Sequence, residues 1–169
     1  EARMTNGNHQ IMMAVKSGRA IRFSENVVRP MGRTASGVRG IKLAAEDDIV
    51  VGMITVENKE KDVLVVSEKG YGKRSDIDGY RITNRGGKGV KTINITDKTG
   101  TLIALKDVTD TDDLMIITQY GNILRSQVSA LRVMGRATQG VRLIRLNEND
   151  EISGVEKIEI DMNDENQEE

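Results

Sequence analysis

The chain has 169 residues with 25 basic and 26 acidic side chains, one histidine and no cysteine, which excludes disulfides and thiolate metal sites and fits a reducing compartment. The near-neutral total hides a split: Asp161, Asp164, Glu165, Glu168 and Glu169 crowd the C-terminal end without a base, so residues 1–160 carry a net charge of +4. Glu1-Ala2-Arg3-Met4 does not read as a signal peptide and no apolar run approaches the roughly 18 residues of a spanning helix, so a cytoplasmic chain with no membrane partner is expected.

Starting with Glu rather than Met, the chain is expected to be a piece of something longer. The first strand falls on the apolar run Ile11 to Val15, and the turn Lys16-Ser17-Gly18 leads into a second strand that reaches Arg22. A loop follows, then an alternating run in which Ile41 and Leu43 flank Lys42, predicting a third strand with one buried face. A fourth run spans Ile49 to Val56, and the acidic connector Glu57 to Asp62 closes the unit. The same order then recurs. Val63 to Val66, the turn at Gly70, Arg74, Ile93 and Ile95, and Leu102 to Val108 make a second copy; Leu114 to Ile117, Gly121, Arg125, Ile144 and Leu146, and Ile152 to Ile160 make a third.

The register is kept by four residue classes at once. Gly18, Gly70 and Gly121 lie 52 and 51 residues apart, as do Arg22, Arg74 and Arg125, then Arg33, Arg85 and Arg136, then Gly37, Gly89 and Gly140. Four short strands per unit of this length predict an all-β, propeller-like array of four-stranded blades. Blades are expected at about 11–58, 63–109 and 114–160 within residues 1–160, with 161–169 an acidic, disordered tail. Three blades fall short of the roughly four to eight that close a propeller, so they are read as part of a larger disc.

Between the second and third strands lie Met31-Gly32-Arg33, Asn84-Arg85-Gly86-Gly87-Lys88-Gly89 and Met134-Gly135-Arg136, each followed by a Gly-Val pair. These strings, with Gly70-Tyr71-Gly72-Lys73-Arg74-Ser75 and the acidic end, resemble the C-terminal domain family of bacterial DNA gyrase A over nearly the whole chain. The related C-terminal domain of topoisomerase IV is the alternative within that resemblance. The resemblance implies a β-pinwheel whose basic outer rim wraps duplex DNA in support of ATP-dependent negative supercoiling. It also implies as partners the rest of gyrase A and the ATP-hydrolysing gyrase B, with the strand-cleaving tyrosine, ATP and magnesium all used outside this chain. No cofactor is expected here, and no catalytic role. The family's glycine-rich box is a Gln, two basic residues, two Gly, a basic residue and Gly. Arg85 to Gly89 match its last five positions, whereas Thr83 and Asn84 depart from the first two, so a complete box is expected upstream of Glu1.

A glycine loop flanked by cations lets backbone N–H groups and side-chain charge approach phosphate oxygens together. The candidate DNA-binding residues are therefore Arg33, Arg85, Gly86, Gly87, Lys88, Gly89 and Arg136. Arg22, Arg74 and Arg125 read equally as phosphate ligands or as contacts between blades, because recurrence in register serves both. Lys73, Lys91, Arg39 and Arg142 complete the set, with a solvated face as their simpler reading. Phe23, Tyr71, Tyr80 and Tyr120 are the only aromatics, too few for the stacking platforms of single-strand and RNA binders. Without a recognition helix, base-specific readout is not expected. A protein-binding scaffold on the same disc is the competing reading.

Overall fold

Each repeat begins with a hairpin closed by a glycine. Gly18, Gly70 and Gly121 donate their N–H groups to the carbonyls of Val15, Ser67 and Thr118 at 2.9, 3.1 and 3.0 Å, at φ of 79°, 82° and 82°, a backbone region that side-chain-bearing residues disfavour. The computed structural model describes residues 1–57 and 60–158; the expected acidic tail at 161–169 lies outside them. The first repeat contributes β1 (Gln10–Val15), β2 (Arg19–Ser24) and β3 (Val50–Val56). The second contributes β4 (Asp62–Ser67), β5 (Tyr71–Ser75), β6 (Val90–Lys91) and β7 (Leu102–Val108). The third contributes β8 (Asp113–Thr118), β9 (Ile123–Gln127), β10 (Val141–Arg142) and β11 (Ile152–Ile158). A short 3-10 turn follows the second strand of each repeat, at Glu25–Val27, Ile77–Gly79 and Val128–Ala130.

The fold is all-β, and among the described residues two of its three sheets take a strand from the next repeat. The antiparallel orders are β3-β1-β2-β6, β10-β5-β4-β7 and β11-β8-β9. The second repeat thus lends β6 to the first sheet, where Lys91 lies opposite Arg19 and Val90 opposite Ala20. The third lends β10 to the second sheet, where Arg142 lies opposite Tyr71 and Val141 opposite Gly72. This corrects the predicted third strand. Ile41 and Leu43, Ile93 and Ile95, and Ile144 and Leu146 lie outside the strands, and the lent segment precedes the alternating run by a few residues. Alternation there reflects a coil pressed into a seam: Ile93 joins the core between the first two blades, and Ile144 packs on the core between the second and third.

The hydrophobic core lies between sheets. Met12, Ala14, Ala20 and Ile54 of the first sheet meet Val63, Val65 and Leu105 of the second, while Leu64, Val66 and Ala104 of the second meet Leu114, Ile116 and Val155 of the third. The middle sheet is therefore buried on both faces, which is why β4 is apolar without alternation, whereas β8 alternates buried and half-buried positions. The edge strands β3, β7 and β11 pack on one another across the sheets and so lie toward the axis, leaving β6 and β10 on the outer edge.

A carboxylate ties each hairpin turn to the strand that follows. Asp48 accepts from Ser17 N, Ser17 Oγ and Ala44 N at 3.0, 2.8 and 3.0 Å, and Asp150 serves the third turn by accepting from Tyr120 N at 3.2 Å. Burial works against the charge on Asp48, but the N–H donors around it hold its carboxyl below the ordinary value. In the second repeat the acid comes from the turn itself: Glu68 accepts from Thr101 N and Oγ1, and Gly100 stands where Asp48 and Asp150 stand, leaving room for it.

Entry of each lent strand demands glycine. A Cβ on Gly89 or Gly140 would run into the carbonyl of Ala20 or Gly72, whereas one on Gly37, at the same place in the first repeat and a similar φ, meets nothing. Gly37→Ala is expected to cost about 1 kcal/mol for backbone strain, and Gly89→Ala about 3 kcal/mol because steric overlap is added. Urea unfolding of the two variants separates them; equal losses would show that the seam at β6 is not tight.

Candidate nucleic-acid interface

The recurring arginines divide by depth. Arg22 on β2 reaches across the first seam, its Nη1 donating to the carbonyls of Ile77 and Tyr80 at 2.7 and 3.1 Å, while Nε donates to Gln10 Oε1 at 2.6 Å. Burial pulls its guanidinium below the ordinary value, against the opposing pull of Asp78 and Asp76. Arg74 is buried beside the second seam, where its carbonyl accepts from Met134 N at 2.9 Å, but its side chain turns to Asp62 of its own repeat and Asp110 of the connector, with its Nε buried and unsatisfied. The side chains of Arg22, Arg74 and Arg125 are 3%, 10% and 59% exposed. Arg125 keeps an ion pair of 2.6 Å with Asp113, and among the described residues no further blade covers it. Of the two readings open for this series, Arg22 takes the contact between blades and Arg74 is buried against acids of its own repeat and connector, so neither side chain is open to a polyanion outside the disc. Lys73 is also no surface residue: it is fully buried, donates from Nζ to the Gly135 carbonyl at 2.5 Å, and is pulled down to about 8 by burial with Arg136 nearby.

Arg85 and Arg136 are half-buried and point backward. Arg85 Nη1 donates to the carbonyl of Arg39 at 3.2 Å and its Nε to that of Val27 at 3.1 Å; Arg136 Nη1 donates to the carbonyl of Lys91 at 2.9 Å. Arg39 and Lys91 are equivalent positions of successive repeats, so each arginine pins its own loop to the blade before it. Arg33, the first of the series, is exposed and has no hydrogen bond or ion pair among the described residues. The partial box is part of the same seam. Gly86 N donates to the Gly40 carbonyl at 2.5 Å, the Gly87 carbonyl accepts from Lys42 N at 2.8 Å, and Gly89 lies against Ala20. Lys88 alone of that string projects an exposed side chain with no hydrogen bond or ion pair among the described residues.

What remains outside is a set of cations along the outer edge at each seam. At the first, Arg19, Lys42 and Lys88 line a hollow of about 300 Å³, and Lys91 lies opposite Arg19 on the neighbouring strand. At the second, Lys69, Lys98, Arg142 and Arg145 surround Tyr71 in a hollow of about 520 Å³. Arg142 donates to the Tyr71 hydroxyl from Nη2 at 2.9 Å, and Lys98 Nζ stands 5.4 Å from the ring centroid. The Arg142 hydrogen bond outweighs burial and lowers the Tyr71 phenol from its ordinary value. Lys69 and Lys98 do not stand out in the sequence because their charge does not recur, and the position that Lys42 shares with Arg145 is interrupted by Asn94 in the second repeat. Only the lent strands reveal which loops adjoin. Among the described residues, the side chains of Arg39, Lys42, Lys88 and Arg145 form no hydrogen bond or ion pair, and all of them are exposed.

The axial side differs. There Lys61 and Lys157 pair with Asp107 at 2.9 and 3.6 Å and Lys106 pairs with Glu156 at 2.9 Å, so charge is balanced locally. Among the described residues no group of acids, His or Cys assembles that could hold a metal, and no helix is long and apolar enough to cross a membrane.

Comparison with known proteins adds the lineage. The family model described as "DNA gyrase C-terminal domain, beta-propeller" matches residues 9–57, 61–109 and 112–159. DNA gyrase A of Staphylococcus aureus strain MRSA252 is 44% identical over 167 residues, which are 99% of this chain and 19% of that protein. Its counterpart in strain NCTC 8325 is 45% identical over 98% of the chain and again 19% of its own length, so the chain spans about a fifth of these relatives. A solved DNA gyrase A C-terminal domain superposes with TM-score 0.80 at 27% identity, covering 89% of this chain and 50% of the other. The C-terminal domain of a DNA topoisomerase IV superposes with TM-score 0.86 at 23% identity over 93% of this chain and 49% of the other, a likeness of fold.

The split between seam and edge is testable on stability. Arg22→Ala strands buried carbonyls and is expected to cost about 3 kcal/mol, whereas Arg33→Ala, at an exposed side chain without a partner among the described residues, costs at most about 0.5 kcal/mol. Chemical denaturation of the two variants should show that gap; a smaller loss for Arg22→Ala than for Arg33→Ala would contradict the seam role.

Proposed function

The chain belongs to the DNA gyrase C-terminal domain, β-propeller family, and from that premise we propose that it is a non-catalytic module that binds duplex DNA along its outer edge and bends it around the disc. In the whole topoisomerase this would support ATP-dependent negative supercoiling, with the rest of gyrase A and the ATP-hydrolysing gyrase B as partners in the bacterial cytoplasm, and with no cofactor of its own.

The observation that carries this reading is the pattern of unpaired positive charge. Lys42 and Lys88 at one seam and Arg145 at the next lie exposed without acidic partners among the described residues, while the axial lysines are neutralised by Asp107 and Glu156. A polyanion lowers its free energy where cations are unpaired, through release of its own counterions. Cations repeated from seam to seam suit a backbone whose phosphates are evenly spaced, and among the described residues no helix or strand offers itself for reading a groove. Bending about 20 to 30 base pairs by tens of degrees costs on the order of 1 to 6 kcal/mol, so contacts must be spread along an arc. Two seams side by side supply such a spread.

Binding to a duplex of about 30 base pairs should weaken steeply with salt, log affinity falling by roughly 0.9 per phosphate neutralised. Lys42→Glu together with Lys88→Glu is expected to lower affinity more than tenfold and to reduce the salt slope by about 2. Unchanged affinity and slope would remove DNA from the outer edge and favour a protein-binding scaffold. Bending has its own readout: nicked circles ligated with the protein bound should shift in linking number, and an unshifted distribution would contradict wrapping.

A further inference from the structure

The two seams hold their outer cations in different ways. Arg19, Tyr71 and Asn122 share one repeat position, so the first seam carries a cation where the second carries an aromatic ring. At the first, Arg19 faces Lys91 across the joined strands, and each turns to a partner of its own: Arg19 Nη1 donates to the Gly89 carbonyl at 3.1 Å and Lys91 Nζ to Asn94 Oδ1 at 3.3 Å. At the second, Tyr71 faces Arg142, whose Nε and Nη2 both donate to the phenol oxygen, at 3.3 and 2.9 Å, while its Nη1 has no hydrogen bond among the described residues. Lys98, from the loop before β7, comes over the face of the same ring.

Tyr71 is built as a fixed post. Its backbone belongs to β5, its carbonyl accepts from Ser67 Oγ at 3.0 Å, and only 6% of the residue is exposed, whereas Lys69, Lys98, Arg142 and Arg145 around it are all exposed. A phenol gathers cations without neutralising them: its oxygen accepts a charge-assisted hydrogen bond and its ring face attracts a cation, yet the net positive charge is untouched. A carboxylate there would hold Arg142 and cancel it, as Asp107 does for Lys61 on the axial side. The acids bordering the hollow are engaged elsewhere. Asp150 accepts from Tyr120 N and Asn122 Nδ2 at 3.2 and 3.4 Å, and Glu151 from Gln119 Nε2 at 3.0 Å.

On the reading of the outer edge as the DNA surface, on which this step rests, we infer that Tyr71 is a positioning residue: it holds the Arg142 guanidinium and the Lys98 ammonium together, so that one phosphate of the duplex meets Arg142 Nη1 and Lys98 Nζ at the second seam as a preformed pair. Cations fixed before the phosphate arrives lose less side-chain freedom on binding than cations on mobile stems. The second seam thereby sets where the duplex is anchored, and the separately tied cations of the first seam take up the backbone on either side of that point.

Tyr71→Phe keeps the ring and its volume and removes only the oxygen, and Arg142→Ala removes the cation that the oxygen holds. Binding to a duplex of about 30 base pairs, measured over a range of salt, should be about fivefold weaker for Tyr71→Phe with its salt slope unchanged, because no charge has gone. Arg142→Ala should lose more and reduce the slope by about 1. With Arg142→Ala already present, adding Tyr71→Phe should weaken binding by less than about twofold, since the phenol acts through Arg142. A seam merely loosened by the lost hydroxyl would weaken binding by the same factor on both backgrounds. That result, a reduced slope for Tyr71→Phe alone, or affinity equal to that of the unmodified chain would overturn the positioning role and leave the DNA surface standing; an unmodified chain that binds no duplex would overturn both.

Discussion

A guanidinium reaching from one blade to the backbone of the next is the contact on which this disc depends. Arg22 caps the carbonyls of the Ile77–Gly79 turn, and the loop beyond that turn is what delivers β6 to the edge of β2. The apolar residues of adjacent blades face each other in shared cores, beside a smaller cluster around Phe23 and Ile41 that belongs to the first repeat alone. A buried guanidinium at such a face is favourable only because carbonyls and carboxylates surround it. The same physics makes the middle blade the most constrained: β4 and β5 are buried nearly throughout, and even Lys73 is held inside by the Gly135 carbonyl.

The seams thereby separate two kinds of cation. Arg22, Arg85 and Arg136, which belong to series that recur in register, are turned inward to bind the repeats together, and Arg74 is turned inward against Asp62 and Asp110. Others face outward and are left unneutralised: Lys88, which does not recur, Lys42 and Arg145, which share a repeat position broken by Asn94, and Arg39. On the proposed function, outward cations form the DNA track and can vary in charge from blade to blade without touching the contacts that hold the blades together.

How far the sequence reveals this follows from what periodicity measures. The turns at Gly18, Gly70 and Gly121 and the first two strands of each repeat are legible because positive φ and apolar runs are local properties. The lent strands are not, since alternation at Ile93 and Ile95 signals burial on one side and says nothing about whose sheet provides it. β6 itself is only two residues long, too short for any pattern. Recurrence draws attention to Arg22 and Arg85 but cannot say which function they repeat for. Lys42, Lys69, Lys98 and Arg145 escape a reading by period because adjacency across a seam is a three-dimensional fact.

Lysine reactivity in the presence and absence of duplex DNA tests the division most directly. Acylation followed by mass spectrometry should show Lys42, Lys88 and Lys91, with Lys69 and Lys98, protected by DNA, Lys61 and Lys106 on the axial side reacting alike in both conditions, and Lys73 unreactive throughout. Protection of the axial lysines with the outer set unchanged would contradict the account.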